Sequence, residues 1–134
     1  MIHCRTVVVG ALALLLPVES VLAHHGTAGF YNQKQKIRIA GVATQFMWRN
    51  PHCGLLLQGR DAAGKSVTYT LEMGSPNTLA RMGYNRLSIK PGDKVVVQAH
   101  IAYANPLAGE AEGRYIEVNG KPVATGTAEE EEAQ

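Results

Sequence analysis

From Lys36 onward the chain is a succession of short β-forming runs cut by turn residues, with one helix signal among them. The order of these segments leaves few folds open. The first run, residues 37–48, is the longest, and its alternation changes phase at Gly41. Ile37 and Ile39 share a face before the glycine; Val42, Thr44, Phe46 and Trp48 share one after it. A one-residue phase change at a glycine predicts a bulge and a bend at that point. Arg49-Asn-Pro51 turns the chain into a second strand over 52–58, and Asp61-Ala-Ala-Gly64 turns it into a third over 66–73. On the third strand Val67, Tyr69, Leu71 and Met73 alternate with Thr68, Thr70 and Glu72, so one side faces a core and the other faces water. A helix signal follows: Ser75 as N-cap, Pro76 in the first turn, Leu79 and Met82 three apart, and Gly83 at the end. Pro91-Gly92 then turns the chain into a fourth strand over 94–101. A loop with Asn105-Pro106 and Gly109 leads to a fifth strand over 113–118, which ends on Asn119-Gly120. The order β-β-β-α-β-β with a bent first strand predicts an all-β fold, a small five-stranded OB-like barrel with one short helix between strands 3 and 4. An antiparallel sandwich needs about seven strands and has no place for the helix.

The two ends of the chain read differently from its middle. Arg5 precedes an unbroken apolar run from Val7 to Leu16, Pro17 breaks it, and Val21-Leu22-Ala23 places small residues where a signal peptidase requires them. The run is shorter than the ~20 residues of a spanning helix. Residues 1–23 are therefore predicted to be a signal peptide cleaved after Ala23, and the protein periplasmic or secreted, with no membrane span in the mature chain. The expected organisation is an N-terminal arm over 24–36, the barrel over 37–123 and a disordered acidic tail over 124–134 that contains Glu129 to Glu132. Cys4 leaves with the signal, so Cys53 is the one remaining thiol and forms no intrachain disulfide; it reads as a small buried apolar group.

Charge and motifs narrow the function classes. Between the signal and the four glutamates the chain carries 12 basic and six acidic residues. These cations are scattered and do not interleave with aromatics as stacking platforms would, so no nucleic-acid partner is expected. No Gly-x-Ser-x-Gly elbow, His-Glu-x-x-His run or phosphate-cradling glycine loop occurs, and the carboxylates of Glu72 and Asp93 are not paired by sequence. The chain reads as a binding protein and not an enzyme.

Several motifs stand in a fixed order: His24-His25-Gly, Trp48-Arg-Asn-Pro-His52, Gly74-Ser-Pro-Asn-Thr-Leu79 with Arg81-Met-Gly83, and Lys90-Pro-Gly-Asp-Lys-Val95. Over most of residues 24–123 this set resembles a family of exported bacterial proteins known chiefly as a domain of unknown function. The resemblance implies a periplasmic β-protein and no particular activity. Tyr84 departs from it, where a Trp often follows the Arg-x-Gly, and so does Cys53, where an aliphatic residue is usual.

Nitrogen donors mark the candidate chemistry. Cleavage after Ala23 makes His24 the first residue, whose free amine and imidazole close one chelate ring, with His25 beside it. Nitrogen-rich sets of this kind suit Cu(II). His52, at the loop between strands 1 and 2, is the third candidate ligand should the arm fold back over that end; alternatively its ring bonds turn backbone beside Trp48. Copper or another divalent metal on His24, His25 and His52 is thus one reading. The other is a metal-free accessory module that grips a protein or small ligand at the barrel mouth, through Trp48, Arg49, Asn50, His52 and His100. Trp48 shares a face with Phe46 and also reads as a plug of the rim. His100 lies on the same side as Gln98 and opposite Val97 and Ala99, so it is expected to face away from the core, exposed.

Overall fold

The computed structural model describes residues 29–124. Its elements are β1 (Tyr31–Met47), β2 (Gly54–Arg60), β3 (Ser66–Glu72), α1 (Pro76–Arg81), β4 (Lys94–Ala102), β5 (Ala108–Val118) and β6 (Lys121–Pro122). β1 is long enough to serve two neighbours. From Tyr31 to Val42 it runs antiparallel to β4, and from Gly41 to Met47 antiparallel to β2. β2 pairs with β3, β3 runs parallel to β5 over Thr70 to Glu72, and β5 pairs with β4. The path β1-β2-β3-β5-β4 therefore returns to β1, the closed order of an OB-like barrel. A sixth, two-residue strand adds to β5 through the turn at Asn119 and Gly120. Both turn residues have positive φ, 52° and 81°, which a two-residue hairpin turn of this hand demands.

The inward residues of each strand meet in one core. Leu55 and Leu57 of β2, Tyr69 and Leu71 of β3, and Val95, Val97 and Ala99 of β4 are buried with Ala111 and Ile116 of β5. Period-two alternation puts those of β2, β3 and β4 there; on β5 a register shift between the partners of Ala99 and Val97 changes the phase, so that Ala111 and Ile116 both turn inward. Cys53 and Met73 join the core just beyond the ends of β2 and β3. Where β5 runs past its three-residue contact with β3, α1 covers it. Leu79 and Met82 pack so closely on Gly113 that a Cβ there would lie 2.9 Å from the Leu79 side chain. Tyr84 then donates its hydroxyl hydrogen to the Gly113 carbonyl at 2.5 Å. Ser75 caps the helix as expected, its Oγ accepting from the Thr78 amide at 3.2 Å. Among the described residues no helix is long and apolar enough to cross a membrane.

Three local expectations are corrected. The phase change of β1 falls between Ala43 and Gln45, and not at Gly41. Ile39 and Ala43 both point inward, Val42 is 41% exposed, and Phe46 and Trp48 reach the core only after the skip. The cause is at Ala43, whose amide and carbonyl bond Asp93 and Gly92 in the turn before β4, where pairing with β4 ends. Gly41 answers another need: a Cβ there would sit 2.3 Å from the Gln58 carbonyl oxygen. Next, β1 begins at Tyr31, so six residues of the expected arm belong to the sheet. Lastly, β5 begins at Ala108, because the loop expected up to residue 112 pairs with both β3 and β4.

Candidate functional site

The ladder between β2 and β3 continues past its last strand residues, with the Met73 amide donating to the Cys53 carbonyl and the Cys53 amide donating to the Gly74 carbonyl. This fixes the end of the β1–β2 loop against the end of β3. A cleft of about 420 Å³ opens at that junction. Arg49, Asn50 and His52 line it from the loop, Thr70 and Glu72 from β3, and Tyr31 from the start of β1. Glu72 is held on both sides, opposite Gly54 on β2 and beside Glu110 on β5.

Glu72 organises the cleft. One carboxylate oxygen, Oε1, contacts Nδ1 of His52. The other, Oε2, accepts a hydrogen bond from the Tyr31 hydroxyl at 3.0 Å. A carboxylate only accepts, so the His52 nitrogen facing it is the one that carries hydrogen, and Nε2 keeps its lone pair in the neutral ring. The His52 side chain is 50% exposed and that of Glu72 36%. A pair so open contributes at most about 1 kcal/mol to stability. Its consequence is orientation. The Tyr31 phenol is pushed up to about 12 by burial first, then by the Glu72 hydrogen bond and the charges of Glu72 and Glu110, so it stays a donor at any ordinary pH.

The other candidates are placed as follows. His52, Arg49 and Asn50 share the cleft; the His52 ring bonds a carboxylate and not the turn backbone. Trp48 stands edge-on to Phe46, 6.0 Å between ring centres, and packs against the core beside the cleft without lining it. Cys53 lies beneath, buried, its thiol pushed up by burial against a smaller opposing effect of a backbone hydrogen bond at Arg49. Burial and the raised thiol both disfavour the reactive thiolate. His100 is a correction. It does face away from Val97 and Ala99, but it is only 5% exposed. Its Nδ1 lies 3.1 and 3.2 Å from the carbonyl oxygens of Asn32 and Gln35, and its Nε2 lies 3.0 Å from Oε1 of Glu112. The segment covering it belongs to the first part of β1, which leaves regular register with β4 between Tyr31 and Lys36. His100 thus secures the strand that carries Tyr31 and does not line the cleft.

His24, His25, the cleavage site and residues 125–134 lie outside the described residues. Among the described residues no group of three His, Cys, Asp or Glu side chains is placed to hold a metal ion. Glu72 and Tyr31 are the site residues that sequence reasoning missed. Glu72 stands out in the sequence as an outward carboxylate of the third strand, but nothing local pairs it with His52, and Tyr31 carries no signal.

The family model described as a family of unknown function, DUF6152, matches residues 13–113. No curated protein matches the chain. Among solved structures, the chain is similar to the mitochondrial single-stranded DNA binding protein Rim1 of S. cerevisiae, at 13% identity and a TM-score of 0.45 over 65% of this chain and 95% of that one.

Proposed function

We propose, for a chain that belongs to the family of unknown function DUF6152, the role of a small exported binding protein whose ligand is a divalent copper ion. The observation that carries this reading is the carboxylate of Glu72, which joins His52 to the strand that follows the His24-His25 pair. Tyr31 lies six residues after His25. Six residues of extended chain span about 20 Å, well beyond the separation of two side chains that share one carboxylate. On this reading, cleavage would leave two histidines on a segment long enough to reach His52. The free amine and ring of His24, the ring of His25 and Nε2 of His52 would form a nitrogen-rich set of the kind Cu(II) favours. The described residues supply too few donors without the terminal pair, so export and cleavage after Ala23 are part of the reading. No catalytic step is.

A second reading has its own support. Arg49 and Asn50 line the same cleft and offer donors to a carboxylate-bearing small ligand or peptide without any metal.

Cu(II) titration of three proteins separates the two: one beginning at His24, one with an extra residue before His24, and His52→Ala. The extension and His52→Ala are each expected to weaken binding at least tenfold. Equal affinity for the extended chain removes the terminal amine from the site. No uptake by any of the three overturns the metal reading and leaves the Arg49–Asn50 cleft as the binding surface.

A further inference from the structure

We propose that Glu72 and Tyr31 are positioning residues which fix the tautomer of His52 and so decide that Nε2 is the nitrogen offered to a ligand. This deepens the copper reading and rests on it for its purpose, though not for its test. His52 sits on a loop, where an imidazole has two interchangeable hydrogen placements. The geometry removes the choice. Nδ1 faces Oε1 of Glu72, which can only accept. Glu72 is in turn not free to turn away, because its backbone is laddered to Gly54 and Glu110 on either side and its Oε2 is taken by the Tyr31 hydroxyl. The carboxylate thus receives one hydrogen from each flank.

The other charges around this carboxylate do not compete for the ring. Glu110, the neighbour on β5, accepts from the Gln33 amide at 3.1 Å. Arg49 lines the same cleft, and the ion pair that Glu72 makes is with His52. A carboxylate that holds the far nitrogen of a ligating histidine both orients the ring and raises its basicity, and loss of such a partner typically weakens metal binding 10–100-fold.

The test uses the chain beginning at His24, first without metal. Nitrogen-15 spectra of the His52 ring at a pH where it is neutral should show hydrogen on Nδ1. Glu72→Gln should let the Nε2–H form grow to a substantial share, since an amide can present either oxygen or NH₂ to the ring. Tyr31→Phe should shift the balance in the same direction but less. Melting temperatures of both variants should stay within a few degrees of the parent, which separates an orienting role from a structural one. A parent ring that already carries its hydrogen on Nε2, or a tautomer unmoved by Glu72→Gln, overturns the proposal. With Cu(II) added, the expected losses are about 10–100-fold for Glu72→Gln and several-fold for Tyr31→Phe. Absence of copper uptake by the parent would sink the copper reading while the metal-free spectra still decide this one.

Discussion

The closure of the barrel depends on β1 passing within backbone contact of β2 at Gly41, and one methyl group tests it. At most strand positions Gly→Ala stabilises by about 0.4–1 kcal/mol, because alanine restricts the unfolded chain. At Gly41 the added Cβ would lie 2.3 Å from the Gln58 carbonyl oxygen, 2.9 Å from its carbon and 3.0 Å from Cγ of Leu57. Two of these three are backbone atoms in the ladder, and Leu57 is fully buried, so none moves cheaply. Restoring an ordinary contact of 3.4 Å or more means separating the strands by roughly an ångström, an overpacking cost of about 1–3 kcal/mol. Set against the entropic gain, Gly41→Ala should destabilise by about 1–2 kcal/mol, and a domain of this size loses about 4–8 °C of Tm per kcal/mol. Gly29→Ala, with nothing within 4 Å of its Cβ, is the matched control and should stay within about 0.5 kcal/mol of the parent. Urea denaturation with a heat melt measures both. A Gly41→Ala protein as stable as the control would mean that β1 does not approach the β2 backbone at this position.

Two further outcomes follow from buried polar groups. Burial pushes the Tyr84 hydroxyl well up, as it helps push Tyr31 up to about 12, so unfolded tyrosines, which ionise near ~10, lose protons that the folded state keeps. The stability these two phenols provide is full below pH ~10 and declines as pH rises toward their folded values; carbon-13 spectra of their rings should still report neutral phenol at pH ~11, and phenolate there would refute the burial assignment. His100→Ala leaves the carbonyls of Asn32 and Gln35 and one oxygen of Glu112 without this partner, at a cost of about 1–3 kcal/mol. Hydrogen exchange should show the loss first at Tyr31 to Lys36, and protection there equal to the parent's would show that His100 does not hold the segment.

What could be read from the sequence was local, and what could not was long-range. The two faces of β3 follow from period two within eight residues, and Ser75 and Pro76 announce α1 whatever surrounds them. The order of runs and turns is enough for the barrel. The phase of β1 was misplaced because it is set at Ala43 by bonds to the turn before β4, about fifty residues on, while Gly41 looked like the irregular position for a different reason. The side of β4 on which His100 lies came from parity. Its burial did not, because the covering carbonyls are 68 and 65 residues away. In the site, Arg49, Asn50 and His52 were legible as the loop of an OB-like barrel. Glu72 and Tyr31 meet across 41 residues, and nothing in either neighbourhood points to the other.

That last contact bears on how the molecule would respond to a ligand. The segment from Tyr31 to Lys36 is held largely by side-chain polar contacts: Tyr31 to Glu72, Gln33 to Glu110, His100 to two carbonyls, and Lys36 to Glu112 at 3.0 Å. Its inward neighbours, Ile37 and Ile39, begin the apolar part of the strand. Hydrogen bonds of this sort contribute about 0.5–1.5 kcal/mol each and exposed ion pairs less, against a core in which each buried leucine is worth about 1.5–3 kcal/mol. Opening the segment therefore takes less free energy than opening the barrel. A ligand that engages both this segment and the cleft favours the paired arrangement over the locally opened one, so its binding is expected to appear as added hydrogen-exchange protection from Tyr31 to Lys36. The first strand closes the barrel with its rigid half and completes the cleft with its looser one, and the change of character between them falls where the polar contacts give way to Ile37.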